Sequence, residues 1–171
     1  MTTPAFTLFD TPIGRCGIAW GPRGIVGLQL PESGERATRL RLAQRFPGAR
    51  EEEAPPASIK RAVAAIGKLL DGKTVDLSTI DLDMEGVPPF HRQVYEAART
   101  VAPGTTLTYG AMATRIGAPG SARAVGQALG KNPFPIVVPC HRVLAAGGQI
   151  GGFSAPQGLA MKRRLLSLEG A

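Results

Sequence analysis

A chain of 171 residues, 43% hydrophobic and 19% charged, can bury one ordinary core or two small ones, and its apolar runs fall well short of the roughly 20 residues a membrane helix needs. Two cysteines, Cys16 and Cys140, exclude a disulfide framework and leave free thiols as the expectation. The net charge of +7 is unevenly spread: residues 1–85 hold 11 basic and 11 acidic side chains and residues 86–171 nine and two, so the excess sits in the second half, where it fits either a polyanion partner or a solvated basic face.

The opening MTTPAFTLFDTPIG has neither the basic nor the continuous apolar segment of a secretory signal, so a cytoplasmic, reducing setting and no membrane partner are expected. FTLFD, RCGIAW and IVGLQL, separated by TPIG and GPRG, are short apolar-rich runs bounded by Gly and Pro, which predicts an antiparallel meander. In SGERATRLRLAQRF, Ser33 or Gly34 caps a helix carrying Ala37, Leu40, Leu42 and Ala43, and Pro47-Gly48 stops it. GAREEEAPPA is a polar loop. SIKRAVAAIGKLLDGK places Ile59, Val63, Ile66 and Leu70 at helical spacing, with Ser58 as N-cap and Gly72 near the end. TVDLSTIDLDMEG alternates apolar and acidic residues, as a half-exposed strand does. The first half therefore predicts a small α+β domain.

At GVPPF two prolines interrupt regular structure where the charge balance also changes, which sets domains at 1–86 and 87–171. FHRQVYEAARTV predicts a helix ended by Pro103-Gly104. TYGAMATRIG, APGS and ARAVGQALGKN then predict helix, short turn and helix, the helix-turn-helix pattern. PIVVPCHRVL predicts a β-type run, AAGGQIGGFS a Gly-rich loop and QGLAMKRRLLSLEG a final helix.

The Cys140-His141 pair carries the chemistry. Two Cys, two His and no C-x-x-C or H-x-x-x-H spacing argue against zinc, and no metal or cofactor is expected. Adjacent side chains on an extended strand point to opposite faces, so the pair converges only where the backbone turns, as Pro139 permits. A nucleophilic role needs a thiolate, a base and a group to orient the base. A lone Cys is more often a buried structural residue, but Asn132, Pro139, Cys140, His141 and Arg142 together favour the nucleophile, with Arg142 adding positive potential.

PIVVPCHRV resembles the active-site signature of the O6-alkylguanine-DNA alkyltransferases, the methylated-DNA–protein-cysteine methyltransferases. TYGAMA resembles the family's tyrosine-bearing helix, ARAVGQALGKNP its recognition helix and asparagine hinge, and LAMKRRLLSLEG its closing helix; the likeness runs over residues 88–170 and more loosely before them. It implies a ribonuclease-H-like N-terminal domain and a winged-type helix-turn-helix. It also implies single-use transfer of an alkyl group from O6-alkylguanine, and from O4-alkylthymine, in double-stranded DNA to Cys140. His141 would serve as base through a water, Glu169 would orient His141, Tyr109 would donate a hydrogen bond to the departing guanine, and Asn132 would hold the turn. Arg123 would fill the place of the flipped base, Ala122, Ala124 and Gly126 would allow close approach in the minor groove, Arg142 would contact DNA, and Val143, Phe153, Ser154 and Leu129 would line the pocket of a monomeric protein. GGFSAPQG departs from the family's tyrosine-bearing pocket loop: Phe153 lacks the hydroxyl and Ala155-Pro156 is stiffer, which bears on tolerance of bulky alkyl groups.

Overall fold

The computed structural model describes residues 3–151 and 158–171. The chain divides into two compact units, Met1–Met84 and Glu85–Ala171, a division two residues before the expected 86/87 boundary.

In the first unit β1 (Ala5–Thr11), β2 (Gly14–Gly21) and β3 (Gly24–Gln29) form the expected antiparallel meander. The reversals fall at Gly14 and Gly24, both at positive φ, where glycine avoids the steric cost of a Cβ. The sheet is nevertheless mixed rather than purely antiparallel: β4 (Arg50–Glu51), inside the stretch expected as a polar loop, pairs parallel to β1 and gives the order β3-β2-β1-β4. Five consecutive buried residues in β1 and again in β2 demand cover on both faces of the sheet. Helix α1 (Glu35–Arg45) packs on β2 and β3, and α2 (Ala57–Leu70) packs on β1. Phe6, Leu8, Ala19 and Leu42 meet in one apolar cluster. Gly17 makes that approach possible, since a Cβ there would fall 2.3 Å from Leu42 Cδ1.

Two expectations in this unit change. The N-cap of α2 is Pro56, not Ser58, so the helix begins one residue before that serine. The 74–84 stretch forms no strand. Only Leu82 bridges to Ile25, through Ile25 N–H donating to Asp81 O and Asp83 N–H to Ile25 O, at the open edge of the sheet.

The second unit is mostly helical. Helix α3 (Pro89–Ala98) starts on a proline, which fits the first turn because its missing N–H has no intrahelical acceptor there. Helices α4 (Tyr109–Arg115) and α5 (Ala122–Gly130) pack together across a turn with Gly117 and Gly120 at positive φ. Tyr95 of α3 donates its hydroxyl to Ala128 O of α5 at 2.6 Å, which ties those two helices. Strand β5 (Leu107–Thr108) pairs parallel with β6 (Val143–Leu144), and α6 (Gly158–Leu168) closes the unit. The expected β-type run PIVVPCHRVL is strand only at Val143–Leu144.

Candidate active site

Pro139 makes the turn on which the site depends. Its φ of −79° and ψ of 66° are those of an inverse γ-turn, closed by Cys140 N–H donating to Val138 O at 2.8 Å. The proline ring sets that φ in advance. A single 3-10 turn, Cys140–Arg142, follows, so Cys140 and His141 leave the alternation of a strand. The preceding loop is held by Asn132, whose Nδ2 donates to Val138 O while its Oδ1 accepts from Phe134 N–H, both at 2.9 Å. Within that loop Ile136 has φ 78°, the one non-glycine at positive φ among the described residues. A β-branched residue there is strained, and the Asn132 bridge, with Val138 N–H on Phe134 O at 2.8 Å, holds it in place.

The pairing of β5 with β6 sets Tyr109 against this turn, because β5 runs directly into α4 and β6 runs directly out of the Cys140 turn. Thr108 caps α4 by accepting from Ala111 N–H at 3.1 Å, which fixes Tyr109 as the first helical residue. Gly151 lies against the Tyr109 hydroxyl so closely that a Cβ would fall 2.6 Å from it. A Cβ at Gly126 would just touch the same ring at 4.0 Å, so α5 also borders Tyr109.

Glu169 arrives from the far end of the unit. It is the residue after α6 rather than part of it, and the helix ends in a Schellman motif: Ala171 N–H donates to Leu166 O and Gly170, φ 77°, donates to Ser167 O. This stop presents the carboxylate to His141, whose Nε2 lies 3.0 Å from Oε1. Both side chains are nearly inaccessible, 1% and 3% exposed. Glu169 is held down to about pKa 2: burial alone would raise it, but hydrogen bonds from Arg142 and His141 outweigh burial. The other ring nitrogen, His141 Nδ1, is buried without a partner among the described residues.

Burial also decides the resting charge of the pair. It pushes the Cys140 thiol up, against Asn132 and the Lys162 cation, which pull it down, and it pushes His141 below its ordinary value against the pull of Glu169. A neutral thiol therefore sits beside a neutral imidazole, and a proton must move before the sulfur is a strong nucleophile.

The structure brings Cys140, His141, Glu169, Tyr109 and Asn132 into one region, with Val143 and Leu129 buried there. Arg123 is exposed on α5, and Ala122, Ala124 and Gly126 are half-buried on the same helix. Phe153 and Ser154 lie outside the described residues. Arg142, expected on DNA, is only 5% exposed: its guanidinium turns inward to Glu169 and to Val101 O, which withdraws it from a phosphate backbone. Sequence reasoning missed Lys162, fully buried on α6, whose ammonium donates to Val143 O at 2.8 Å and lies 5.8 Å from the Tyr109 ring centre. Its signal was its place on the apolar stripe of Met161, Leu165 and Leu166, where a lysine has to be paired. No group of three or more metal-ligating side chains occurs among the described residues.

Residues 89–171 match the family model described as 6-O-methylguanine DNA methyltransferase, DNA binding domain. The chain is 35% identical over 159 residues to a methylated-DNA–protein-cysteine methyltransferase of Methanothermobacter thermautotrophicus, covering 93% of this chain and 81% of that one. It is 40% identical over 166 residues to one of Mycobacterium tuberculosis, covering 96% and 91%. Among solved structures, M. tuberculosis OGT in complex with DNA superposes with a TM-score of 0.74 at 31% identity, over 97% of this chain and 92% of that chain. The Pyrococcus kodakaraensis O6-methylguanine-DNA methyltransferase gives 0.71 at 29% identity, over 97% and 99%.

Proposed function

The chain belongs to the 6-O-methylguanine DNA methyltransferase family and carries its methylated-DNA–protein-cysteine methyltransferase activity, and we propose that it repairs alkylated DNA by moving the alkyl group irreversibly onto Cys140. The observation that carries this reading is the contact between His141 Nε2 and Glu169 Oε1, which leaves Nδ1 as the basic nitrogen of the residue that follows Cys140 in the chain. The thiol proton passes to Nδ1 through a water, and Cys140 Sγ attacks the alkyl carbon in line. The S–C bond forms as the C–O6 bond breaks, and its electron pair goes to the guanine oxygen. Guanine gains in net terms the proton the thiol lost. Tyr109 donates a hydrogen bond to the departing base. Attack at an alkyl carbon builds no tetrahedral oxyanion, so no oxyanion hole is needed. The thioether has no easy route back to a thiol, and each molecule acts once.

A stacked base is out of reach of a buried cysteine, so the lesion is flipped from the duplex. Arg123, exposed near the start of α5, takes the vacated place. The small residues Ala122, Ala124 and Gly126 let α5 enter the minor groove, and the basic excess of the second half binds phosphates. On this reading the first unit is ribonuclease-H-like, α4 and α5 are a winged-type helix-turn-helix, Val143 and Leu129 border the pocket, O4-alkylthymine is a second substrate, and the protein acts as a monomer.

Intact-mass measurement after incubation with duplex DNA carrying O6-methylguanine tests the reading. The expected result is a gain of one methyl group, located on Cys140 and absent in Cys140→Ser, with no turnover beyond one lesion per protein. A wild-type mass that does not change refutes it.

A further inference from the structure

Arg142 is the second partner of Glu169, and its contacts are the most complete in the site. Its Nε donates to Oε1 at 2.9 Å and its Nη2 to Oε2 at 2.5 Å, a two-point fork, while Nη1 donates to Val101 O at 2.7 Å. Oε1 thereby serves two donors at once, Arg142 Nε and His141 Nε2. We propose that Arg142 is a positioning residue for the transfer reaction: by engaging both oxygens of Glu169 it fixes the carboxylate as an anion in one orientation, restricts it to accepting the Nε2–H of His141, and so dedicates Nδ1 to the Cys140 proton. This rests on the reading of Cys140 as the alkyl acceptor.

The geometry leaves Glu169 little else to do. A carboxylate accepting three donors has neither the freedom to turn nor the basicity to take the imidazole proton. The fork also sets the charge felt by His141. The charged groups acting on the ring are Glu169 and Lys162 from α6 and its end and Arg142 from its own turn, while Tyr95 of α3 and Tyr109 of α4 lie in the field of the neighbouring Cys140 thiol. Of these, Glu169 favours a protonated ring, while Arg142 and Lys162 oppose it. Without the Arg142 cation Glu169 is unbalanced and His141 drifts toward imidazolium at rest, which has no lone pair to receive a proton.

The test is the pH dependence, between about pH 5 and 8, of single-turnover alkylation of the full chain by free O6-benzylguanine, a substrate that needs no DNA contact. Wild type, Arg142→Lys and Arg142→Gln are compared, each corrected for its folded fraction. Arg142→Lys, which keeps the cation but not the fork, should react about tenfold more slowly at neutral pH, with its acid limb displaced to higher pH. Arg142→Gln should displace the limb further. An acid limb unmoved in both variants, whatever the loss of rate, makes Arg142 a structural strut only and overturns the proposal. If neither variant folds, the ring nitrogen shifts of His141 in the wild type decide. The Nε2–H tautomer should persist below the ordinary histidine value of about 6.5, and an Nδ1–H tautomer or titration at or above that value overturns the proposal. A wild type alkylated neither by the free base nor by duplex DNA carrying O6-methylguanine refutes the functional reading instead, while a difference in the His141 nitrogen shifts between wild type and the variants still judges Arg142.

Discussion

The Lys162 ammonium and the Val143 carbonyl meet at 2.8 Å in a part of the protein closed to solvent, which places a buried cation within the field of Cys140. Burial pushes Lys162 down, and the developing thiolate pulls it back up, so the two groups stabilise each other's charged forms. Lys162→Met keeps the volume and removes the charge. Cys140 should then titrate at higher pH when followed by iodoacetamide reactivity, and alkyl transfer should slow by about tenfold or more. Stability should change little, by about 1 kcal/mol, because a desolvated charge is removed while a carbonyl loses its donor.

How much of this was legible in the sequence follows from which interactions are local. The meander was legible, because its runs are delimited by glycines whose positive φ the turns require. The Cys140, His141 and Glu169 set was legible only through resemblance, since nothing in a linear chain joins positions 28 residues apart. Arg142 was expected on DNA because residue type and place in a motif cannot tell an arginine facing solvent from one turned inward to a carboxylate. The PIVV run was read as strand because apolar continuity cannot separate a buried strand from a buried loop, and the turn at Ile136, where φ is positive against the preference of a β-branched residue, is imposed by Asn132 and the surrounding packing.

Asn132 should therefore matter for both stability and chemistry. Asn132→Ala removes the donor to Val138 O and the acceptor of Phe134 N–H, at a cost of about 2 kcal/mol, readable as a lower denaturation midpoint. Asn132→Asp separates the two roles: it keeps the acceptor, loses the donor and adds an anion near Cys140, which opposes the thiolate. It should react more slowly than wild type. An aspartate variant that reacts as fast as wild type would contradict the role assigned to Asn132.

Glu169 ties stability to acid pH. Its folded pKa of about 2 lies below the ordinary carboxylate value of 4.5, so the folded state binds fewer protons than the unfolded one between those values. The stabilisation is present in full above pH 4.5 and is lost as pH falls toward 2. It amounts to about 3 kcal/mol. Urea denaturation of the wild type should show that slope, and Glu169→Gln should flatten it. His141 acts in the same sense at higher pH: its folded pKa lies below 6.5, so stability also declines as pH drops below 6.5.

On the proposed reading, Arg123 serves delivery of the lesion and not the transfer itself. It is exposed on α5, while the acceptor turn and its partners are held by contacts among other residues. Arg123→Ala should therefore leave stability within about 0.5 kcal/mol of wild type and leave the reaction with free O6-benzylguanine unchanged within about twofold. Repair in duplex DNA asks for more, because the extruded base must be kept from restacking, and there the same substitution should slow transfer by about tenfold or more. The comparison is internal to one protein preparation, so a damaged acceptor site would depress both rates together. Equal losses on free base and duplex would remove Arg123 from base extrusion and leave it as one more cation on a basic face. A loss confined to the duplex that shrinks at high salt would instead mark it as a phosphate contact, since only the electrostatic part of binding is relieved by counterions.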